Sequence, residues 1–226
     1  MKYTLRLALV ISLLLVLAPV LRADVWEIGP NSFIAGVPTD EFVYFAAPEV
    51  VGRQRQENWC WAACVQMVLN YHGLYVSQEQ VVQRVYGQQV NRPANNAQIL
   101  TALSGWAPDN RRRFSAITAS PYVWDEAAID DLAYNWPLIV GLENKDGPGH
   151  AYVLTAVQFH NEKYIIGYQR YWRGRWYSVP VYAHRPVLDY VFLRDPWPGN
   201  ASRQTLPYSE FKSKLMLCDR VHVIRL

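Results

Sequence analysis

The hydrophobic pattern divides the chain into three parts. The first is a largely apolar run from Leu7 to Leu21, preceded by Lys2 and Arg6 and followed by Arg22-Ala23. Fifteen residues fall short of the about 20 that a spanning helix needs. A positive start, an apolar middle and a small residue at Ala23 predict a secretory signal over residues 1–23, cut before Asp24. Leu21 fits imperfectly three residues before that cut, so an uncleaved anchor is the alternative. No cysteine follows the run, which speaks against a lipoprotein.

The second part, to about Gly105, reads as turns and helices. Gly29-Pro30-Asn31 and Pro38-Thr39-Asp40 are turn signals, and Phe42 to Ala46 reads as an extended apolar piece. Trp61 to His72 carries a good helix pattern stopped by Gly73. Ser77-Gln78-Glu79-Gln80 is a cap pattern that opens an amphipathic helix through Val81, Val82, Val85 and Tyr86. Asn95 or Asn96 caps a third helix through Ile99, Leu100 and Leu103.

The third part is mostly strand. Arg111-Arg112-Arg113-Phe114 reads as the solvated start of a strand, or as a basic lip on a cleft. Trp124 to Tyr134 reads as a short helix, Pro137 to Leu142 as a strand, Glu143 to Gly149 as a loop and His150 to Phe159 as a second strand. Tyr164 to Val191 is aromatic and β-rich, with Arg173-Gly174 as a hairpin turn. A strand from Val191 to Arg194 ends at Asp195-Pro196-Trp197-Pro198-Gly199. Phe211-Lys212 opens a last helix or loop, and Arg220 to Leu226 closes as a strand. Helices first and antiparallel strands afterwards predict an α+β fold of two lobes with a cleft between them. There is no internal repeat and no low-complexity tract.

Composition narrows the function. Loss of residues 1–23 leaves 203 residues over 24–226, the size of one domain with a proper core. It also removes Lys2, Arg6 and Arg22, so the 22 basic residues fall to 19, equal to the 19 acidic ones. The excess positive charge belongs to the signal, and nucleic acid loses its electrostatic case as a partner. Three cysteines (Cys60, Cys64, Cys218) do not make a disulfide framework. If Cys60 is a free nucleophile, Cys64 and Cys218 either pair or pack in the core. No second Cys/His pair has metal-ligand spacing.

The chemistry centres on Gln54-Arg55-Gln56-Glu57-Asn58-Trp59-Cys60-Trp61-Ala62-Ala63-Cys64. A thiol is a good nucleophile as thiolate, and a helix start lowers its pKa by aiming unpaired N–H groups at it. Cys60 sits at such a start, after a polar loop. Gln54, in that loop, has an amide able to donate to an oxyanion beside the backbone N–H of Cys60. The bland alternative makes Cys60 a small buried residue between two tryptophans.

A cysteine nucleophile needs a base that takes its proton and later protonates the leaving amine. His150 follows Gly147-Pro148-Gly149 and begins a strand, so its imidazole is free to face a cleft. His72, His160, His184 and His222 fit less well. The third member must accept a hydrogen bond from the other imidazole nitrogen. Asp195, at a strand end, is the choice, with Asp189 or Asn161 as substitutes.

The run from Gln54 to Ala63 resembles the active-site segment of papain-like cysteine peptidases: Gln, five residues, then Cys-Trp-Ala opening the central helix. The nearest likeness is to short bacterial members with Cys-Trp-Ala-Ala, a group that includes secreted and effector proteases. Gly149-His150-Ala151-Tyr152-Val153-Leu154 resembles their Gly-His-Ala-apolar strand. Asp195-Pro196-Trp197 looks like a version of their Asn-x-Trp segment, with Asp in place of Asn and Trp197 shielding the triad. The 45 residues from His150 to Asp195 exceed the usual spacing, and the aromatic hairpin looks like the insertion. Residues 24–51 are too short for the folded propeptide that many papain relatives carry. The resemblance implies a papain-like two-lobe fold, with a helical lobe and its central active-site helix packed on an antiparallel β lobe. It implies an exported peptidase, periplasmic or secreted, acting on peptide or protein substrates through Cys60, His150, Asp195 and Gln54. It implies no cofactor, no metal and no stable membrane span once the signal is gone. An acyl-transfer or deamidating enzyme on the same triad is one alternative, and a catalytically idle binding module is another. The aromatic and arginine-rich hairpin reads as a sheet with one packed face, or as a surface for sugars or bases. Asn200-Ala201-Ser202 is an N-glycosylation sequon, of consequence only in a eukaryotic host.

Overall fold

The computed structural model describes residues 25–37, 39–46, 52–106, 115–121, 124, 127–144 and 147–225. The basic run at 111–114 and the signal segment lie outside them. Within them a strand hairpin, β1 (Val25–Gly29) and β2 (Ser32–Gly36), precedes four helices: α1 (Thr39–Ala46), α2 (Cys60–Tyr71), α3 (Gln78–Tyr86) and α4 (Asn96–Leu103). Then come β3 (Ser115–Pro121), α5 (Ala128–Ala133), β4 (Leu138–Asn144), β5 (Gly147–Trp172), β6 (Arg175–Arg194), β7 (Arg203–Pro207), α6 (Tyr208–Lys214) and β8 (Leu215–Arg225). This is the α+β fold expected, except that the β1–β2 hairpin comes before the helices.

The strands form one antiparallel sheet in the order β1-β2-β5-β4-β8-β3, with β6 paired to β5 and β7 to β6. Its centre is covered on both sides, so β4 is buried from Leu138 to Leu142 instead of alternating. Ile139 and Val153 face the core shared with α1 to α4. Their neighbours Leu138, Val140 and Leu154 face a second core with α5 and α6. Helix α2 runs through the first core, with residues 61–70 buried. Full burial of one Leu or Met side chain is worth about 1.5–3 kcal/mol, so this helix is fixed by packing more than by propensity.

The caps follow the sequence. Ser77 forms a capping box with Gln80, and Gly87 ends α3 in the left-handed conformation. Asn95, not Asn96, caps α4, again with a capping box. Two expectations are corrected, and one strand is added. Phe42 to Ala46 is helical: Phe42 and Ala46, one turn apart, are buried while Val43 and Tyr44 between them are exposed. β8 begins five residues earlier than Arg220 because Leu215 to Asp219 pair with β4 before the strand moves on to β3. β7 is a strand that its polar text, Arg203-Gln204-Thr205, does not announce.

The last feature is an arm. β2 pairs with β5 only as far as Phe159, whereas β6 follows β5 out to Trp172↔Arg175. Beyond residue 160 the two strands form a ribbon with no third strand among the described residues. Arg173 (φ 47°) and Gly174 (φ 79°) make the turn, both left-handed as a two-residue hairpin of matching twist requires.

Candidate active site

The loop before α2 is fixed first. Gly52 (φ 89°) passes so close to α1 that a Cβ would lie 1.9 Å from the Phe45 carbonyl oxygen, a place for glycine alone. Next, the buried Gln78 donates to the Arg53 carbonyl (2.6 Å) and accepts from the Arg55 N–H (3.0 Å). Trp59 and Trp61 then turn away from the cysteine between them. Their indole N–H groups donate to the carbonyls of Val90 (2.8 Å) and Arg92 (3.1 Å). Cys60 is left as the first residue of α2, part-exposed on the open side.

His150 lies across from it on β5, close enough for the imidazole to act on the thiol. Its Nε2 is 2.8 Å from Asp195 Oδ1, so the nitrogen facing sulfur is Nδ1. Asp195, 1% exposed, accepts four hydrogen bonds. Oδ1 takes the Trp197 N–H (2.8 Å) besides His150, and Oδ2 takes Asn200 Nδ2 (2.7 Å) and Gln204 Nε2. Arg53 ties the same turn to the cysteine loop, donating to the carbonyls of Asp195 (2.9 Å), Trp197 (2.8 Å) and Asn200 (3.1 Å). The Trp197 ring stands edge-on to His150 at 6.3 Å, and Tyr152 at 4.7 Å.

The substitutes for Asp195 are engaged elsewhere: Asp189 with His160 (2.9 Å), and Asn161 through its backbone with Asn31. Asn200, Gln204 and Arg53 were not foreseen. Gln204 reaches the carboxylate only because β7 pairs with β6 in a register that sets it opposite Leu193.

Gln54 is buried beside this loop. Its backbone N–H donates to the Pro196 carbonyl (2.9 Å), and its Nε2 donates to the carbonyls of Gln56 (3.0 Å) and Glu57 (2.8 Å). In this structure the amide hydrogens therefore point along the loop. Cys64 and Cys218 remain free thiols, buried in different cores. Burial pushes both thiols well up, which makes them unreactive.

The electrostatics favour an ion pair. Burial alone pushes the Cys60 thiol up, but the hydrogen bond and charge of His150, with the N–H groups of Ala151 and Trp61, outweigh it and hold the thiol below its ordinary value. For His150, burial pulls down while Asp195 and Cys60 together raise it to about 9. Asp195 is held below the usual carboxylate range: burial opposes this, and His150, Asn200 and the Trp197 N–H overcome it. The lowered thiol and the raised imidazole together shift the pair toward thiolate and imidazolium. Activity is thus expected to fall in acid as the thiolate gains a proton, and in alkali near about 9 as His150 loses one. A pH profile of kcat/KM checks this; a flat profile through pH 9 would contradict it.

The pair opens on a cleft of ≈ 870 Å³, with Glu57, Asn58, Leu142 and Trp197 among its walls. A thiol at a helix start thus faces an imidazole on an antiparallel sheet, and the chain is a papain-like cysteine peptidase. Residues 49–215 match the Peptidase_C39 like family, and the chain belongs to it. No curated protein matches the chain. Among solved structures it is similar to the peptidase domain of Streptococcus ComA, a bi-functional ABC transporter involved in a quorum sensing pathway. That likeness has 13% identity and a TM-score of 0.48 over 77% of this chain and 96% of the other. It is also similar to a double glycine motif protease from an AMS/PCAT transporter in complex with the leader peptide. There the identity is 17% and the TM-score 0.45, over 78% of this chain and 91% of the other.

Proposed function

We propose that this cysteine peptidase is exported and hydrolyses peptide bonds through a Cys60–His150–Asp195 triad, with Gln54 in the oxyanion hole. The observation that carries the reading is the position of His150, whose Nε2 is 2.8 Å from the buried Asp195 while its imidazole acts on the Cys60 thiol in the same cleft. The Cys60 thiolate adds to the peptide carbonyl carbon. His150 gives its Nδ1 proton to the amine nitrogen as the C–N bond breaks and a thioester forms. The neutral imidazole then takes a proton from water, the hydroxide adds to the thioester, and the acid leaves with the thiolate restored. Asp195 keeps the imidazole in the required orientation and stabilises its charged form. Trp197 shields that hydrogen bond from water.

The oxyanion is held by the backbone N–H of Cys60 and by Gln54 Nε2, once a bound carbonyl draws one amide hydrogen from its contact with Glu57. Export rests on the sequence of residues 1–23.

A fluorogenic peptide library assayed alongside ammonia release tests the reading. Peptide cleavage that disappears in Cys60→Ala supports it, whereas ammonia release without cleavage makes the protein a deamidase. Neither signal from folded, reduced protein makes it a binding module. Gln54→Ala is expected to lower kcat about 10²–10³-fold with little change in KM. An unchanged kcat would leave the oxyanion to backbone donors.

A further inference from the structure

The arm beyond residue 160 does nothing for the triad, and its composition departs from that of the rest of the chain. No acidic residue occurs between Lys163 and Leu188, while Lys163, Arg170, Arg173, Arg175 and Arg185 do. Over residues 24–226, where 19 basic residues balance 19 acidic ones, the remainder therefore holds 14 basic against 19 acidic. The charge is segregated: a negative body carries a positive arm. Arg185 is matched locally by Glu162 (2.6 Å) at the arm's base, but Arg170, Arg173 and Arg175 cluster at the far end.

That end is aromatic on both faces. Tyr171 and Trp176 lie opposite one another on one face, ring centroids 5.0 Å apart, and Trp172 and Tyr177 are diagonal neighbours on the other, 6.5 Å apart. All four are exposed, Trp176 to 67%. A ribbon that covers a core, or receives one protein partner, needs one apolar face. Rings on both faces suit surroundings that close around the tip. Tryptophan and tyrosine, with an apolar body and a polar edge, favour the membrane–water interface. Arginines beside them are drawn to anionic headgroups. The Arg173 guanidinium lies over the Trp172 ring at 4.6 Å, which keeps charge and ring together at the turn. A second copy of the arm is a poor occupant, because the like charges repel.

We propose that the β5–β6 arm is a membrane-docking element whose tip, Tyr171 to Tyr177, enters the headgroup layer of an anionic phospholipid bilayer. The contact is interfacial: among the described residues no helix is long and apolar enough to cross a membrane. The negative body is repelled by the same surface, so the arm approaches tip first and holds the cleft away from the bilayer.

The test is co-sedimentation of the chain, purified in the form its host exports, with vesicles of phosphatidylcholine alone or with phosphatidylglycerol added. Comparing variants that share one N-terminus separates the arm from residues 1–23. The expected result is binding that needs phosphatidylglycerol and weakens with salt. It should fall about tenfold or more in Trp172→Ser/Trp176→Ser and in Arg170→Gln/Arg173→Gln/Arg175→Gln, with unchanged thermal midpoint and unchanged alkylation of Cys60. Binding equal in wild type and both variants would overturn the proposal. So would binding indifferent to phosphatidylglycerol, an arm-dependent dimer in sedimentation velocity without vesicle binding, or retention of a single-stranded oligonucleotide alone.

Discussion

His150→Ala is expected to reduce kcat/KM about 10⁴-fold or more and to shift alkylation of Cys60 from neutral to alkaline pH. The second effect is the more specific. Burial is the largest influence on the Cys60 thiol and pushes it up; the hydrogen bond and charge of His150 are what bring it below its ordinary value. With His150 gone, burial is opposed only by the N–H groups of Ala151 and Trp61, so the thiol titrates higher and reacts slowly at pH 7. Cys60→Ala removes the proposed nucleophile and should lose as much activity. The double variant should lose little more, because the two side chains act as one unit. Iodoacetamide rates against pH, with the label located by mass spectrometry, check this. Neutral-pH alkylation of Cys60 in a folded His150→Ala variant would show that the helix start suffices and that His150 does not set the thiolate.

The parts of this site that could be read from sequence are those whose geometry is local. Cys60 at a helix start follows from the polar loop before it and the apolar run after it. Helices α3 and α4 follow from caps written within four residues. Asp195 directly follows the strand end that the apolar pattern marks, whereas His150 lies three residues inside β5, which starts at Gly147 in text that reads as a loop. The contacts set by strand register could not be read in this way. Gln204 reaches Asp195 because β7 pairs with β6, and β7 is a polar edge strand whose text resembles a loop. Arg53 lies between the cysteine loop and the turn after Asp195, 142 residues apart in the chain. Helix α1 reads as an extended piece because Phe42-Val43-Tyr44-Phe45 is β-prone locally. Packing of Phe42 against Tyr71 (ring centroids 5.3 Å) overrides that preference. The arm was legible as a hairpin but not as a free-standing one. Its aromatic strands would have suited a packed sheet equally well, and only the end of the β2 pairing at Phe159 exposes both faces.

The carboxylate behind His150 provides the second large effect. Asp195→Ala is expected to lower kcat/KM about 10³-fold or more and to depress the thermal midpoint. Four donors, from His150, Trp197, Asn200 and Gln204, converge on one buried carboxylate. Deleting it leaves these part-buried donors without their acceptor, and full burial would cost about 1–3 kcal/mol for each, so the loss lies below that ceiling. Asp195→Asn should fall between wild type and alanine for a different reason. Its oxygen can still accept from His150 and the Trp197 N–H, but its NH₂ then meets the donors of Asn200 and Gln204. Those two amides must turn their oxygens inward to restore the bonds. The negative charge is lost in any case, and with it part of the support for the imidazolium. His150, raised to about 9 with Asp195 present, therefore titrates lower, and the alkaline limb of the kcat/KM profile moves toward neutrality. That movement separates an electrostatic role from mere packing, because a cavity alone would lower activity without shifting the limb. Asp195→Ala that stays folded and within a few-fold of wild-type activity would remove Asp195 from the triad and leave the turn at Trp197 as a structural brace.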